Sequence, residues 1–248
     1  MSSRLVQVKC PRCGATEVFA AADVGQDVSC WSDPRVRFAL RTDRPFGAAD
    51  WDAARTPGPL RACLKPLRVT PRPRASAGFA VALVRAVYPK PRSRWLRKAA
   101  EYGEQFLRTG TVPHGELSEV LNALIDGQPP WLLPAWAQAG ICCVSNYPLG
   151  WPLCGVFDVR YPRLVADLIR EFAPNPFRPL TWNPGWVTAT VHQLATHIDT
   201  ADEFAALPIL ADALQDAGCD DEQVLAHCRA DRPHARGCWV LDAVRAAP

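Results

Sequence analysis

Pro162-Arg163-Leu164-Val165-Ala166-Asp167-Leu168-Ile169-Arg170-Glu171-Phe172 decides how the chain is read. Leu164, Val165, Leu168, Ile169 and Phe172 recur at the three- and four-residue spacing of one helical face. Pro162 falls in the first turn, where its missing N–H breaks no intrahelical bond and its fixed φ suits a helix. The spacing predicts a helix over 162–172 with a wide apolar stripe, and such a stripe needs other helices to cover it.

Those helices are expected on both sides. Downstream, Asn183 before Pro184 opens a helix with Val187, Val191, Leu194 and Ile198 on one face. Pro208 begins Ile209–Ala217, which Gly218 stops. Asp220 caps a helix through Cys228, and a last one covers about 236–245. Upstream, Ser93 caps a helix to about Arg108 with Trp95, Ala99, Tyr102 and Phe106 aligned, and Gly110 ends it. Ser76 can cap Ala77–Tyr88, although its valines leave a strand open. Leu117, Val120, Leu121 and Leu124 mark another helix, closed by Gly127. No fixed-period repeat is present, which argues against a solenoid.

The N-terminus is built differently. Leu5-Val6-Gln7-Val8, Thr16-Glu17-Val18-Phe19 and Gln26-Asp27-Val28-Ser29-Cys30 have strand composition and are separated by turn residues. Cys10-Pro11-Arg12-Cys13-Gly14 places two thiols on one tight turn, the spacing of a metal knuckle. Cys30 follows, and Asp33 stands where a second knuckle would carry its other ligand. Residues 7–33 resemble the small zinc-ribbon hairpins that begin many bacterial proteins, with the first knuckle intact and the second degenerate. The resemblance implies structural zinc on Cys10, Cys13 and Cys30; Asp33 could complete the site, another Cys or His could fold in, or the site could have decayed and bind nothing.

At 248 residues, with 48% hydrophobic and 21% charged, the composition is that of an ordinary globular chain rather than a disordered one. Its 24 prolines argue for short elements joined by ordered turns. The first residues carry no apolar run of the export type, so the 10 cysteines are expected as reduced thiols or metal ligands in a cytoplasmic protein.

The net charge of +3 conceals an asymmetry. From Ala53 to Ala100 there are twelve Lys/Arg and no Asp or Glu; from Pro179 to Cys228 there are eight acidic residues and no Lys or Arg. The basic stretch could contact phosphates, through Arg68, Arg72, Arg74, Arg92, Arg94, Arg97 and Lys98. Alternatively the two segments face each other. Between Asp126 and Asp158 lies a stretch without formal charge, long enough for a membrane span. Pro134, Pro148, Pro152, Gln138 and Asn146 interrupt it, so a buried segment or a partner surface is the preferred reading and a membrane is not expected. Vicinal Cys142-Cys143 reads as a buried pair in preference to a redox site.

Near the C-terminus come Asn175-Pro176-Phe177-Arg178-Pro179, Leu207-Pro208-Ile209-Leu210-Ala211-Asp212-Ala213-Leu214, Leu225-Ala226-His227-Cys228-Arg229 and His234-Ala235-Arg236-Gly237-Cys238-Trp239. These words, in this order over about 162–246, resemble the C-terminal part of a multi-paralogue bacterial family of helical proteins. The resemblance implies a helical domain and no established activity. His227, Cys228, His234 and Cys238, with Cys219, lie close enough for a second metal site. Cys228 could instead be a nucleophile with His234 as its base. The preferred reading keeps the cysteines in the core, where small apolar groups fit at helix ends. Arg178 and Arg236 are expected to pair with Asp212, Asp216 or Asp242, and Trp182, Trp186 and Trp239 to anchor the core.

The chain has no GxGxxG, no GxxxxGK[ST], no HExxH and no GxSxG, which removes the commonest nucleotide-binding and hydrolytic enzymes. The expectation is a mainly α protein. A zinc-ribbon-like hairpin occupies 1–34, an irregular basic linker 35–75, in which a short helix could form around Pro59–Leu64, and a helical domain 76–248. Its expected role is that of a zinc-stabilised adaptor or accessory protein that binds a protein partner without catalysis. The alternatives are nucleic-acid contact through residues 53–100, and a thiol- or metal-dependent hydrolase centred on the C-terminal His/Cys cluster.

Overall fold

The structure of the protein, a computed structural model, describes residues 5–10, 16–20, 27–29, 35, 37–39, 44–64, 73–111, 119–120, 122–123, 157 and 160–247. Among these the fold is mainly helical. Short strands come first: β1 (Leu5–Lys9), β2 (Thr16–Ala20), β3 (Asp27–Ser29), β4 (Arg37–Ala39) and β5 (Arg44–Pro45). The helices are α1 (Ala48–Ala53), α2 (Pro57–Leu64), α3 (Pro73–Val87), α4 (Arg94–Thr109) and α5 (Pro162–Phe172). They continue as α6 (Ala189–Ala201), α7 (Leu207–Asp216), α8 (Glu222–Cys228) and α9 (Trp239–Ala246).

β1 and β2 pair antiparallel, with Leu5 opposite Ala20 and Lys9 opposite Thr16. β5 adds to the other side of β1, and β3 pairs separately with β4. Alternation puts Val6 and Val8 on the buried face, and α2 packs against β2. Cys13, Cys30 and Asp33 lie outside the described residues, as do most of 112–156, including the pair Cys142-Cys143; of the helix expected around Leu117–Leu124, residues 119–120 and 122–123 are described and are helical, with Val120 buried. The stretch expected to be irregular, 35–75, also carries β4, β5 and α1, while α2 falls where the short helix was expected around Pro59–Leu64. The Asp50 carboxylate accepts the Gly47 amide and closes the first turn of α1. Pro57 and Pro59 sit in the first turn of α2, where proline is tolerated.

Two apolar clusters form. The first gathers α1 to α5, with Trp51, Leu60, Leu64, Leu83, Leu96, Leu107, Leu168 and Ile169 sealed inside. The second gathers α6 to α9 around Val191, Ile198, Leu207, Leu210, Leu214, Val240 and Leu241. Local chemistry explains most boundaries. The Ser93 hydroxyl accepts from the Leu96 amide, and Gly110, at φ +73°, ends α4. α5 begins at Pro162 and ends at Phe172 as its apolar spacing requires.

Other starts move. α3 begins at Pro73, so Ser76 lies within it and caps nothing. Asn183 accepts from Gly185 but opens only the 3-10 turn Pro184–Trp186, because Thr188 caps the following α6. Asp221, not Asp220, caps α8, its Oδ1 taking the amides of Gln223 and Val224. The last helix starts at Trp239, because Gly237 at φ +93° interrupts the chain before it.

Charged groups join the two cores. Arg74 of α3 pairs with Asp242 of α9 and Asp199 of α6, and also donates to the Leu107 carbonyl. Arg236 and Arg245 complete the shell around buried Asp199. Arg236 also pairs with Asp202, and Arg178 with Asp52, so neither arginine takes an expected partner. Trp186 is buried, whereas Trp182 and Trp239 pack partly buried against the second core. Among the described residues no helix is long and apolar enough to cross a membrane.

Candidate metal centre

Three chemically active side chains come from one short stretch. His227 sits in the last turn of α8, fixed by the Asp221 cap. The chain then turns, with the Ala230 amide bonded to the His227 carbonyl, and Pro233 leads into His234. Cys238 is the residue before α9. The fourth member, Glu171, comes from the last turn of α5 in the other core. Ligand-capable atoms of Glu171, His227, His234 and Cys238 all lie within 4.8 Å of one another.

Glu171 is wholly buried. Its Oε2 lies 2.7 Å from His234 Nδ1 and 3.4 Å from His227 Nε2, and its Oε1 accepts the Ala235 amide at 3.1 Å. His227 Nε2 is 3.0 Å from Cys238 Sγ. A tetrahedral zinc with bonds of about 2.0–2.3 Å sets its ligands roughly 3.3–3.8 Å apart, so these spacings have the scale of one metal centre, slightly contracted.

The surrounding bonds suit a cation at three of the four positions. Both ring nitrogens of His234 face acceptors: Nε2 the Ala230 carbonyl at 3.2 Å, and Nδ1 the Glu171 carboxylate. A neutral imidazole has one N–H, so the second nitrogen needs an added proton or a metal ion. Donation from Nε2 to a carbonyl is the usual support for a ligating histidine. The Ala235 amide orients the carboxylate. Burial, Glu171 and Cys228 push the Cys238 thiol well up, while the backbone amides of Leu241 and Val240 act in the opposite direction and favour a thiolate.

His227 is arranged differently. Its Nδ1 receives Trp239 Nε1 at 2.9 Å and Arg232 Nη2 at 2.6 Å. Two donors on Nδ1 leave the proton of the neutral ring on Nε2, which faces Glu171 and Cys238. Burial, Arg232 and His234 hold the His227 pKa well below its ordinary value, so its 3.4 Å approach to Glu171 is not an ion pair. A metal on His227 therefore displaces the Nε2 proton.

Among the cysteines and histidines singled out from sequence, the fold assembles His227, His234 and Cys238. Cys219 and Cys228 are buried in the second core and stand outside the cluster. The Cys228 thiol is pushed up to about 12 by burial and by Glu171, which opposes a nucleophilic role. Glu171 was not anticipated. The one signal available was a carboxylate in the last turn of a helix, where the helix dipole disfavours it.

Of the expected ribbon ligands, Cys10 is buried at the end of β1 and the other three lie outside the described residues. Of the expected phosphate contacts, Arg68 and Arg72 also lie outside them. Arg74 is turned inward onto Asp199 and Asp242, which removes it from any nucleic-acid surface. Arg92, Arg94 and Arg97 are exposed. Arg94 and Lys98 lie over the Trp95 ring, 4.3 and 5.9 Å from its centroid, and Arg97 donates to the Pro91 carbonyl.

Fold and site together define a helical protein with a buried His/Cys/Glu cluster of metal-binding type. No protein-family model, curated protein or solved structure matches the chain.

Proposed function

We propose that this chain is a zinc-stabilised accessory or adaptor protein without catalysis of its own, and that zinc on Glu171, His227, His234 and Cys238 ties its two helical cores together. The observation that carries the reading is the closure of the cluster. Four protein ligands meet at one point, their side chains at most 8% exposed, and one of the four comes from the opposite core. Structural zinc sites are closed in this way, whereas catalytic ones keep a position for water. Thiolate with imidazole favours zinc over magnesium or calcium, and one thiolate with one carboxylate balances a divalent charge.

Metal analysis of the purified full chain tests it. The wild type retains at least one equivalent of zinc, and Cys238→Ser loses one. A second equivalent, lost in Cys10→Ser, belongs to the N-terminal cysteines. Chelation lowers the melting temperature by roughly 5–10 °C, the shift expected for about 2.7 kcal/mol of ligand stabilisation in a chain of this size. A metal-free wild type whose melting temperature ignores added zinc ends the reading.

Exposed Arg92, Arg94 and Arg97 around the start of α4 favour a second reading, phosphate contact with a nucleic acid. Binding to arbitrary RNA or DNA that falls steeply with salt, and weakens in an Arg94→Gln/Arg97→Gln double variant, supports it. No binding at low salt removes it.

A further inference from the structure

A cavity of about 140 Å³ lies beside the cluster, where α1 and the end of α5 meet α8 and the start of α9. We propose that it is a binding site for a small oxyanion, a carboxylate or inorganic phosphate, gripped by Arg232. This goes beyond the metal reading and does not require it.

The charge of the lining is one-sided. Arg170, Arg178 and Arg232 contribute three guanidinium groups, against the single carboxylate of Asp52. Asp52 is already engaged, by Arg178 at 2.9 Å and by the Asn175 side-chain amide at 3.0 Å. Arg170 is saturated as well: it donates to the carbonyls of Trp51 and Ala54 and pairs with Asp167. Gln223 accepts the Asn175 amide and donates to the Arg178 carbonyl.

Arg232 is the group left over. Among the described residues no carboxylate pairs with it. Its Nη2 meets only the uncharged His227 Nδ1, and its Nε is sealed from solvent with no acceptor. It also stands close enough to Arg170 for its charge to lower that pKa. A guanidinium whose Nε is buried without an acceptor, beside a second guanidinium, calls for an anion, and its planar fork matches the two oxygens of a carboxylate or phosphate. The cavity admits an ion of that size.

Calorimetric titration of the full chain tests this, at low ionic strength in a buffer free of phosphate and carboxylate. Inorganic phosphate and acetate are the two probes, and each is titrated into zinc-loaded and chelator-treated protein. The expected result is saturable one-to-one binding of at least one probe, and the tighter of the two names the source chemistry. Arg232→Gln weakens it at least tenfold, while Arg108→Gln, exposed at the end of α4, leaves it within twofold. Arg232→Lys keeps the charge without the fork and binds at an intermediate level; it replaces the glutamine variant if circular dichroism shows that one unfolded. Equal binding by zinc-loaded and chelator-treated protein supports an anion site independent of the metal, and it stands whatever the metal analysis returns. Absence of saturable binding by both probes, or unchanged affinity in the Arg232 variant, overturns the proposal.

Discussion

Glu171 Oε2 and His234 Nδ1 lie 2.7 Å apart across 63 residues of sequence, and they belong to different helical cores. The contact is buried on both sides, so it is a joint between the cores rather than a surface ornament. Among the described residues, the groups that meet the Glu171 carboxylate are His234, the Ala235 amide and the uncharged His227.

Glu171→Gln is therefore expected to destabilise the protein by about 3 kcal/mol, the scale for removing one partner of a buried charged pair. Glutamine preserves the shape and an acceptor for the Ala235 amide, so the loss reports the charge. Urea unfolding of metal-free protein measures it. A change below about 0.5 kcal/mol would show that the Glu171–His234 contact does not hold the two cores together.

Among the cysteines, native-state reactivity should separate with burial. Desolvation raises the thiol pKa of both Cys63 and Cys228, the latter to about 12. At pH 8 both remain thiols and resist alkylation until the protein is unfolded. Mass-spectrometric mapping after brief alkylation checks this. The same samples distinguish the cluster thiol from its neighbour: Cys228→Ala keeps bound zinc, whereas Cys238→Ser loses it.

What was legible in the sequence was what neighbouring residues determine. Ser93 and Gly110 bound α4, and Pro162 with its apolar stripe bounds α5, because caps and helical faces are set within a few residues. His227, His234 and Cys238 could be seen as a cluster because one short stretch carries all three. Glu171 could not, since only the docking of α5 on the loop after α8 brings it there. The same docking explains Arg74. It reads as part of a basic run, yet it is drawn inward because Asp199 and Asp242 come from the acidic half of the fold. The scattered prolines of 34–75 suggested an irregular segment with one short helix around Pro59–Leu64; that helix forms from Pro57, because proline is tolerated within a first turn.

The docking leaves no room at Gly78. A Cβ built there would fall 2.5 Å from the Arg236 carbonyl oxygen and 2.5 Å from the Phe172 ring. The carbonyl is backbone and cannot rotate away, so Gly78→Ala should part α3 from the 235–237 segment. A cost of about 1–3 kcal/mol is expected in urea unfolding, as for other overpacked cores, despite the better helix propensity of alanine. Stability equal to or above that of the wild type would mean that the two segments do not approach as closely as described.

His227 sets the pH dependence. Its folded pKa lies well below the ordinary 6.5 because burial, Arg232 and His234 all oppose a charge on the ring. Above 6.5 neither state is protonated there and the full stability is present. As the pH falls below 6.5 the unfolded chain takes up a proton that the folded ring refuses, and stability is lost until the folded pKa is reached. The slope for one such group is about 1.4 kcal/mol per pH unit. Chelator-treated protein isolates this effect from competition between protons and metal. Subtracting the profile of His227→Gln from that of the wild type cancels the other groups, provided Arg232 and Trp239 find the glutamine oxygen in place of Nδ1. The difference should rise from near zero slope above pH 7 to a loss approaching that limit between pH 6 and 5. A flat difference across this range would mean that His227 is protonated within the fold.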